Sequence, residues 1–131
     1  MIVGPLPLAD VDKVWPDIAQ WMDTACKRGR GSMTAWDIYQ GCRNGSMLLF
    51  IVWLDDLIHA AIPCRIQAVP GGQSLYVVAI GGRAMKRWLP ELYEFEWPKS
   101  LGIKYVDFEG RAGLGRIEGA KVVRHVFRKE L

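Results

Sequence analysis

The sequence predicts a single-domain α/β protein of the α+β type, in which a mixed central sheet of about six strands is flanked by helices. Residues 75–80 form a short, uncharged, β-rich run that ends at Gly81-Gly82 and gives way to a helical pattern. Residues 47–69 hold two apolar runs around a polar turn, which is typical of a hairpin. With 131 residues, 50% of them hydrophobic, the chain can form one core, so we treat residues 1–131 as one domain.

The first third of the chain predicts an edge strand followed by two helices. Residues 1–7 can supply the short strand. From residue 11 to about residue 28 the apolar side chains recur on one helical face, and Pro16 predicts a break after the first turn. Thr34 is predicted to cap a second, short helix, which Gly45 would end in the left-handed conformation.

The next stretch predicts an antiparallel hairpin. Its strands are the apolar runs 47–54 and 58–69, and Asp55-Asp56 supplies the polar turn between them. Proline has no backbone donor for a sheet. Pro63 inside the second strand therefore predicts either a bulge or an edge position.

The corner around Gly81-Gly82 suits a phosphate group. Here the backbone N–H groups of Gly82, Arg83 and Ala84 would lack intrahelical partners and would lie at the positive end of a helix dipole. Arg83, Lys86 and Arg87 would add positive charge. The alternative is an ordinary tight connection between a strand and a helix, which needs one or two glycines and binds no ligand.

The helix after this corner contains two prolines, Pro90 and Pro98, so it should be kinked or divided into two pieces. Trp88 lies on its apolar face and is expected in the core or in an interface. The same is expected of Tyr93, Phe95 and Trp97, rather than a platform on which a ligand stacks.

Two more strands are predicted in the last quarter of the chain, at residues 103–109 and 120–127. The first places Asp107 and Glu109 on one face, because side chains alternate along a strand. These two carboxylates are either part of a solvated face or functional groups at a strand end.

The segment 110–116 between these strands is rich in glycine. Its G-x-x-G-x-G spacing differs from the dinucleotide fingerprint G-x-G-x-x-G, and too little chain follows for a crossover helix, so we reject a dinucleotide site. We expect Arg111 or Arg116 to be buried and to bind a carboxylate or exposed carbonyls through its planar fork.

Composition narrows the possible functions. The net charge of +3 and pI near 8.9 are only mildly basic, so nucleic-acid binding is not favoured. The candidate zinc ligands are the thiols of Cys26, Cys42 and Cys64 and the nitrogens of His59 and His125. Their spacing along the chain does not match that of a zinc site, so we expect no metal. An odd cysteine count without a signal peptide or a membrane-length apolar run predicts a cytoplasmic protein of a bacterial-type cell.

Several short motifs, spread over nearly the whole chain, occur in the order known from one family. They are Asp37-Ile38-Tyr39, Gly45, the strand from Leu48 to Trp53, Ala79-Ile80-Gly81-Gly82, Trp88, Gly102, Gly110-Arg111, Gly113 and Arg116. In these motifs and in its order of elements the chain resembles GNAT acetyltransferase-like domains, and most closely the small phage-encoded ones.

The resemblance implies a site for acetyl-CoA beside the strand that precedes the central helix. Its first three residues would flank the pantetheine arm and its last four would bind the pyrophosphate: Val78, Ala79, Ile80, Gly81, Gly82, Arg83 and Ala84. Glu109 or Asp107 would be the base that removes a proton from the amine substrate.

The chain also departs from the family pattern. The family loop reads Q/R-x-x-G-x-G/A, whereas this chain has fewer glycines after Ile80, and no tyrosine follows Tyr105. Two functions are therefore considered. One is an N-acetyltransferase with a degenerate pyrophosphate loop and an amine substrate. The other is a catalytically inactive phage protein, a virion component or a binder of a host factor, which six tryptophans favour because aromatic residues anchor interfaces.

Overall fold

The computed structural model describes residues 1–28, 33–93, 97–109, 121, 123 and 127–131. Its elements in chain order are β1 (Ile2–Pro5), a 3-10 turn (Leu8–Asp10), α1 (Val11–Arg28), α2 (Ala35–Asn44), β2 (Leu48–Leu54), β3 (Leu57–Val69), β4 (Gly72–Val77), β5 (Gly81–Gly82), α3 (Met85–Tyr93), α4 (Trp97–Ser100) and β6 (Tyr105–Phe108).

The strands form one mixed sheet. Its order is β1-β2-β3-β4-β6, and β5 pairs with β3 beyond the end of β4. The pairs are antiparallel except β4 and β6, which are parallel and are joined through the α3–α4 crossover. A single mixed sheet flanked by helices confirms the predicted fold class.

Helices α1 and α2 cover one face of the sheet. The buried side chains of this face come from both helices and from β2 and β3; they are Val11, Val14, Ile18, Met22, Ile38, Cys42, Met47, Leu49, Ile51 and Ala61. The opposite face carries a second cluster around Trp88, which is fully buried against Phe50, Leu75 and Ile103. Trp88 is therefore a core residue, as its place on the helical face predicts.

Helix α1 runs through Pro16 without a break, so the predicted interruption there is wrong. A proline inside a helix costs roughly 3 kcal/mol. Val14, Ile18 and Met22 flank it and are buried, and each buried side chain of this kind contributes about 1.5–3 kcal/mol. The apolar face thus outweighs the lost backbone hydrogen bond.

Helix α2 begins and ends as its sequence predicts. The Thr34 hydroxyl accepts a hydrogen bond from the Asp37 amide at 3.2 Å, and the Asp37 carboxylate accepts one from the Thr34 amide at 2.9 Å. The Thr34 amide, and then its hydroxyl, hold the pKa of Asp37 below its usual value. Because the folded-state pKa is lowered, this stabilisation is complete above the ordinary carboxyl pKa and is lost as the pH falls through the lowered one. Gly45 ends the helix with φ +84°.

The predicted hairpin and the divided helix are also present. Asp55 and Asp56 have φ values of +53° and +62°, as a two-residue turn between twisted strands requires. Helix α3 contains Pro90, and the short helix α4 forms a separate second piece that ends before Gly102, which has φ +75°. Residues 110–120, 122 and 124–126 lie outside the described part of the chain, and with them lie Arg111, Arg116 and most of the predicted last strand.

We predict that Thr34→Ala lowers the free energy of unfolding by about 1 kcal/mol, because it removes the side-chain half of the capping box. The melting temperature should fall by roughly 3 to 5 °C. Thr24→Ala is the control, since Thr24 lies inside α1 and its hydroxyl only accepts an exposed 3.4 Å hydrogen bond from Gln20. Equal losses in the two variants would show that the cap contributes nothing.

Candidate active site

The pairing of the parallel strands β4 and β6 ends at one point in the described part of the chain. Their pairing runs from Ser74–Tyr105 to Val77–Phe108 and goes no further in the described residues. Beyond this point residues 78–80 belong to no strand, and β5 then pairs with β3 alone. Among the described residues, the chain at residues 78–80 therefore has no partner in β6, and we call this place, directly before the connection to α3, the strand gap.

A bulge takes residues 78–80 out of the ladder with β3. Between the pairs Cys64–Val77 and Ala61–Gly81, strand β3 has two residues, Ile62 and Pro63, whereas the facing chain has three, residues 78–80. The Val78 amide donates to the Pro63 carbonyl at 2.8 Å. Pro63 lies in an interior strand, so the predicted edge position is wrong. The predicted bulge is present, but it lies in the chain that faces Pro63.

Gly81 and Gly82 lie in the sheet, and this corrects the prediction that the strand stops before them. A Cβ on Gly81 would come within 2.8 Å of the Trp21 carbonyl oxygen and the Met22 side chain. On Gly82 it would come within 2.3 Å of the His59 carbonyl oxygen. Both glycines are thus required by close packing inside the protein, against α1 and β3 respectively.

The backbone amides of this corner divide between the sheet and the gap. The Arg83 amide has no intrahelical partner, but it donates to the His59 carbonyl of β3 at 2.8 Å, so the prediction that it points outward to a phosphate is wrong. Pairs in an antiparallel ladder alternate between bonded and non-bonded types. Gly82, paired with Ala60, is therefore non-bonded, and its N–H points away from β3 toward the gap.

Helix α3 begins later than the sequence predicts. Ala84 has φ +52°, a left-handed conformation that costs an alanine roughly 1 kcal/mol, and the helix follows from Met85. The Arg87 amide donates to the Ala84 carbonyl at 2.9 Å. The amides of Met85 and Lys86 precede it and are the ones that the first turn of a helix leaves for an anion.

Two hydrogen bonds fix the corner from opposite sides. The Trp88 indole N–H donates to the Arg83 carbonyl at 2.7 Å, and Trp88 is itself fully buried. Together with the bond from the Arg83 amide to His59, this holds Arg83 between the sheet and the second core cluster. The sequence indicates the burial of Trp88 but gives no signal for its hydrogen bond.

Basic side chains at the corner point in different directions. Arg83 projects toward α1, where it lines a cavity with Asp17 and Trp21. Arg87 forms an exposed ion pair with Asp55 at 3.6 Å. Lys86 is exposed in the first turn of α3, so it is the side chain that can add positive charge at the helix N-terminus.

Asp107 and Glu109 differ in their surroundings. Asp107 is half-buried. Its carboxylate accepts hydrogen bonds from the Ser74 hydroxyl at 2.6 Å and from the side-chain amide of Gln67 at 3.4 Å. Ser74 is fully buried, and sequence reasoning missed it because its partner is 33 residues away. Glu109 is exposed and follows the last paired residue, Phe108, so it stands at the mouth of the gap.

Thiol chemistry does not suit this protein. Burial raises the pKa of Cys42 to about 11 and that of Cys64 to about 12, and it also raises the pKa of Cys26. A thiol is a nucleophile only when deprotonated, so all three are poor nucleophiles at neutral pH.

The described residues contain no group of three or more histidine, cysteine or acidic side chains that could hold a metal ion.

His59 has a structural position, as expected. It is buried in β3, its Nδ1 lies 3.2 Å from the Leu57 carbonyl, and its own carbonyl accepts a hydrogen bond from the Arg83 amide.

In the part of the chain that the structure describes, no helix is both long and apolar enough to cross a membrane.

The packing of the corner gives a test with a matched control. Gly82→Ala should lower the free energy of unfolding by about 1–3 kcal/mol, because the added Cβ overlaps the His59 carbonyl. Gly4→Ala adds the same atom in β1, where nothing lies within 4 Å, and should be nearly neutral. Urea unfolding measures both, and a neutral Gly82→Ala would contradict the close approach.

Comparison with known proteins gives a structural likeness without a sequence match. The sequence matches no protein-family model and no curated protein. A GNAT family acetyltransferase of Staphylococcus aureus superposes with a TM-score of 0.59 at 13% identity, over 99% of this chain and 98% of that one.

Two further structures are similar. A ribosomal-protein-alanine N-acetyltransferase of Brucella melitensis has a TM-score of 0.64 and 10% identity, with both chains covered completely. An aminoglycoside acetyltransferase from an uncultured soil metagenomic sample, solved with sisomicin, superposes with a TM-score of 0.61 at 11% identity. The superposition covers 99% of this chain and 96% of that one. From end to end, the chain has the fold of the GNAT acetyltransferases.

Proposed function

We propose that this protein is an acetyl-CoA-dependent N-acetyltransferase. The observation that carries the proposal is that residues 78–80 leave the ladder directly before the connection to α3, in a chain with the GNAT fold. The proteins that share the fold over their whole length act, by their names, on amines of a ribosomal protein or of aminoglycosides. A primary amine is the corresponding substrate class for this chain.

The residues at the gap fit acetyl-CoA. The bulge removes residues 78–80 from the ladder, so their backbone groups are not all used by the sheet, and the Gly82 amide points to the gap. The first turn of α3 adds the amides of Met85 and Lys86 for a phosphate group. We assign Val78, Ala79 and Ile80 to the pantetheine arm.

We place the proposed pyrophosphate site slightly later in the chain than the sequence predicts. Of Gly81, Gly82, Arg83 and Ala84, the first packs against α1 and the Arg83 amide is bound to β3. We therefore assign the pyrophosphate to Gly82, to Ala84 and to the two amides that follow it.

Glu109 is the better candidate for the base. A base must reach the amine and exchange its proton with solvent, and Glu109 is exposed at the mouth of the gap. Asp107 accepts two hydrogen bonds from within the sheet, which suits a carboxylate that ties β6 to β3 and β4. Acetyl-CoA would supply the activated acyl group, and the chain would position the amine and remove its proton.

A second candidate is an inactive GNAT-fold protein that binds a partner, with a phage or host protein as the expected partner. It is favoured by an exposed aromatic cluster on α1 and α2. Trp36 is 63% exposed and its ring lies 5.6 Å from that of Tyr39, which in turn lies 4.9 Å from Trp15. Aromatic side chains of this kind anchor interfaces. The phage source and the virion location stay predictions.

We expect acetyl-CoA to bind with a micromolar dissociation constant in calorimetry. Lys86→Gln should weaken this binding severalfold, because it removes a charge beside the phosphate, and should leave the binding of pantetheine unchanged. Lys13→Gln, an exposed lysine of α1, is the control. Absence of heat at millimolar acetyl-CoA would refute the proposed function.

We expect Glu109→Gln to lower kcat by roughly a hundredfold or more while acetyl-CoA binding is retained, as for loss of a general base. Asp107→Asn should instead lower the melting temperature, because the Ser74 hydroxyl loses a charged acceptor. Thiol release from acetyl-CoA, with an alanine-terminated peptide and an aminoglycoside as acceptors, measures activity. If Glu109→Gln keeps full activity, another group removes the proton.

A further inference from the structure

A cavity of about 340 Å³ lies on the α1 side of the sheet, at the tip of the β2–β3 hairpin. It is separate from the strand gap. Asp17 and Trp21 of α1 form one wall, Trp53 and the turn residue Asp56 form another, and Arg83 closes the end next to β5. This volume is at the lower end of the range for small-molecule sites.

The three charged side chains of this cavity lack ion-pair partners among the described residues. None of Asp17, Asp56 and Arg83 lies within ion-pair distance of an opposite charge there. Asp55, the neighbour of Asp56 in the same turn, does pair with Arg87. The cavity thus presents two carboxylates and one guanidinium that are available to a ligand.

The remaining lining is apolar and consists of Trp21, Trp53, Leu57 and Ile58. Trp21 and Trp53 are half-buried, and both pack against the α1-side core cluster, so their rings are held in place. An indole face attracts both an apolar group and a cation. Unpaired charges of both signs between fixed indoles form a site for a small ligand that itself carries both charges and an apolar part.

We propose that this cavity binds a free α-amino acid with an apolar side chain. Its ammonium group would bind the carboxylates of Asp17 and Asp56. Its carboxylate would bind the planar fork of Arg83, which is suited to two parallel hydrogen bonds. Its side chain would pack on the indoles of Trp21 and Trp53.

The charge pattern selects this class of ligand over others. A purely cationic ligand would leave the Arg83 guanidinium without a counter-charge, and an anion such as phosphate would meet two carboxylates. A neutral apolar ligand would desolvate all three charged groups without pairing them, which is unfavourable. A zwitterion satisfies all three. The proposal does not depend on acetyltransferase activity, because none of the residues that line the cavity is assigned to acetyl-CoA or to the base.

Three related ligands test the charge requirement by calorimetry on the full chain. L-phenylalanine carries both charges, L-phenylalaninamide only the positive one at about pH 6.5, and N-acetyl-L-phenylalanine only the negative one. We expect L-phenylalanine to bind at least about tenfold more tightly than either analogue, since each lost charge removes a charged hydrogen bond. Equal binding of the three, or no heat with L-phenylalanine up to about 10 mM, would overturn the proposal.

Two variants of one turn assign the ammonium site. Asp56→Asn should weaken L-phenylalanine and its amide about tenfold and leave the N-acetyl form unchanged. Asp55→Asn makes the same change next to it, outside the cavity, and should alter none of the three. Asparagine tolerates the left-handed backbone of both positions, so the turn should be retained.

Arg83→Gln gives the complementary result. It should weaken L-phenylalanine and the N-acetyl form and leave the amide unchanged. Thermal unfolding of each variant confirms that it folds. If Asp55→Asn weakens binding as much as Asp56→Asn, or if Arg83→Gln affects the amide as strongly as L-phenylalanine, the assignment of charges is wrong.

Discussion

The pairing of β3 with two successive strands is the constraint on which the rest of the structure depends. Leu57–Val69 is long enough to pair with β2 on one side and with both β4 and β5 on the other. Between its pairing with β4 and its pairing with β5, β3 has two residues, whereas the chain segment that faces it has three. That extra residue cannot be accommodated in the ladder, so the strand bulges at residues 78–80, and β6 follows only β4. The gap is a direct consequence.

Pro63 lies where this mismatch is accommodated. Its nitrogen cannot donate to the facing chain, but its carbonyl still accepts the Val78 amide. Proline would disturb a regular central strand; here the facing chain leaves the ladder at the same point. The bulge and the proline are therefore compatible with each other, which explains how an interior strand contains a proline at all.

The sequence predicts local features of this fold well. The capping box at Thr34, the left-handed Gly45 and the two-residue turn at Asp55-Asp56 were predictable because each depends on residues within a few positions of one another. The burial of Trp88 was predictable from helical periodicity. These features together give the order of elements, and the order gives the fold class.

Features that depend on distant residues were not predictable. Gly81-Gly82 was predicted as a turn because a glycine pair usually marks one, whereas its role is close packing against α1 and β3. Pro16 was predicted to break the helix because the local sequence does not show how the apolar face of α1 packs on the sheet. For the same reason the sequence could not show that Asp107 binds Ser74, nor that the Arg83 side chain points to α1.

Arg83 lies between the two proposed sites. Its amide is bound to β3, its carbonyl is bound to Trp88 in the core, and its side chain lines the cavity beside α1. The backbone on either side belongs to the strand gap and to the first turn of α3. Because two hydrogen bonds hold this residue, a ligand bound to its guanidinium would act on a fixed support. A substituted Arg83 changes the cavity without removing either backbone bond, so the two sites can be separated by mutation.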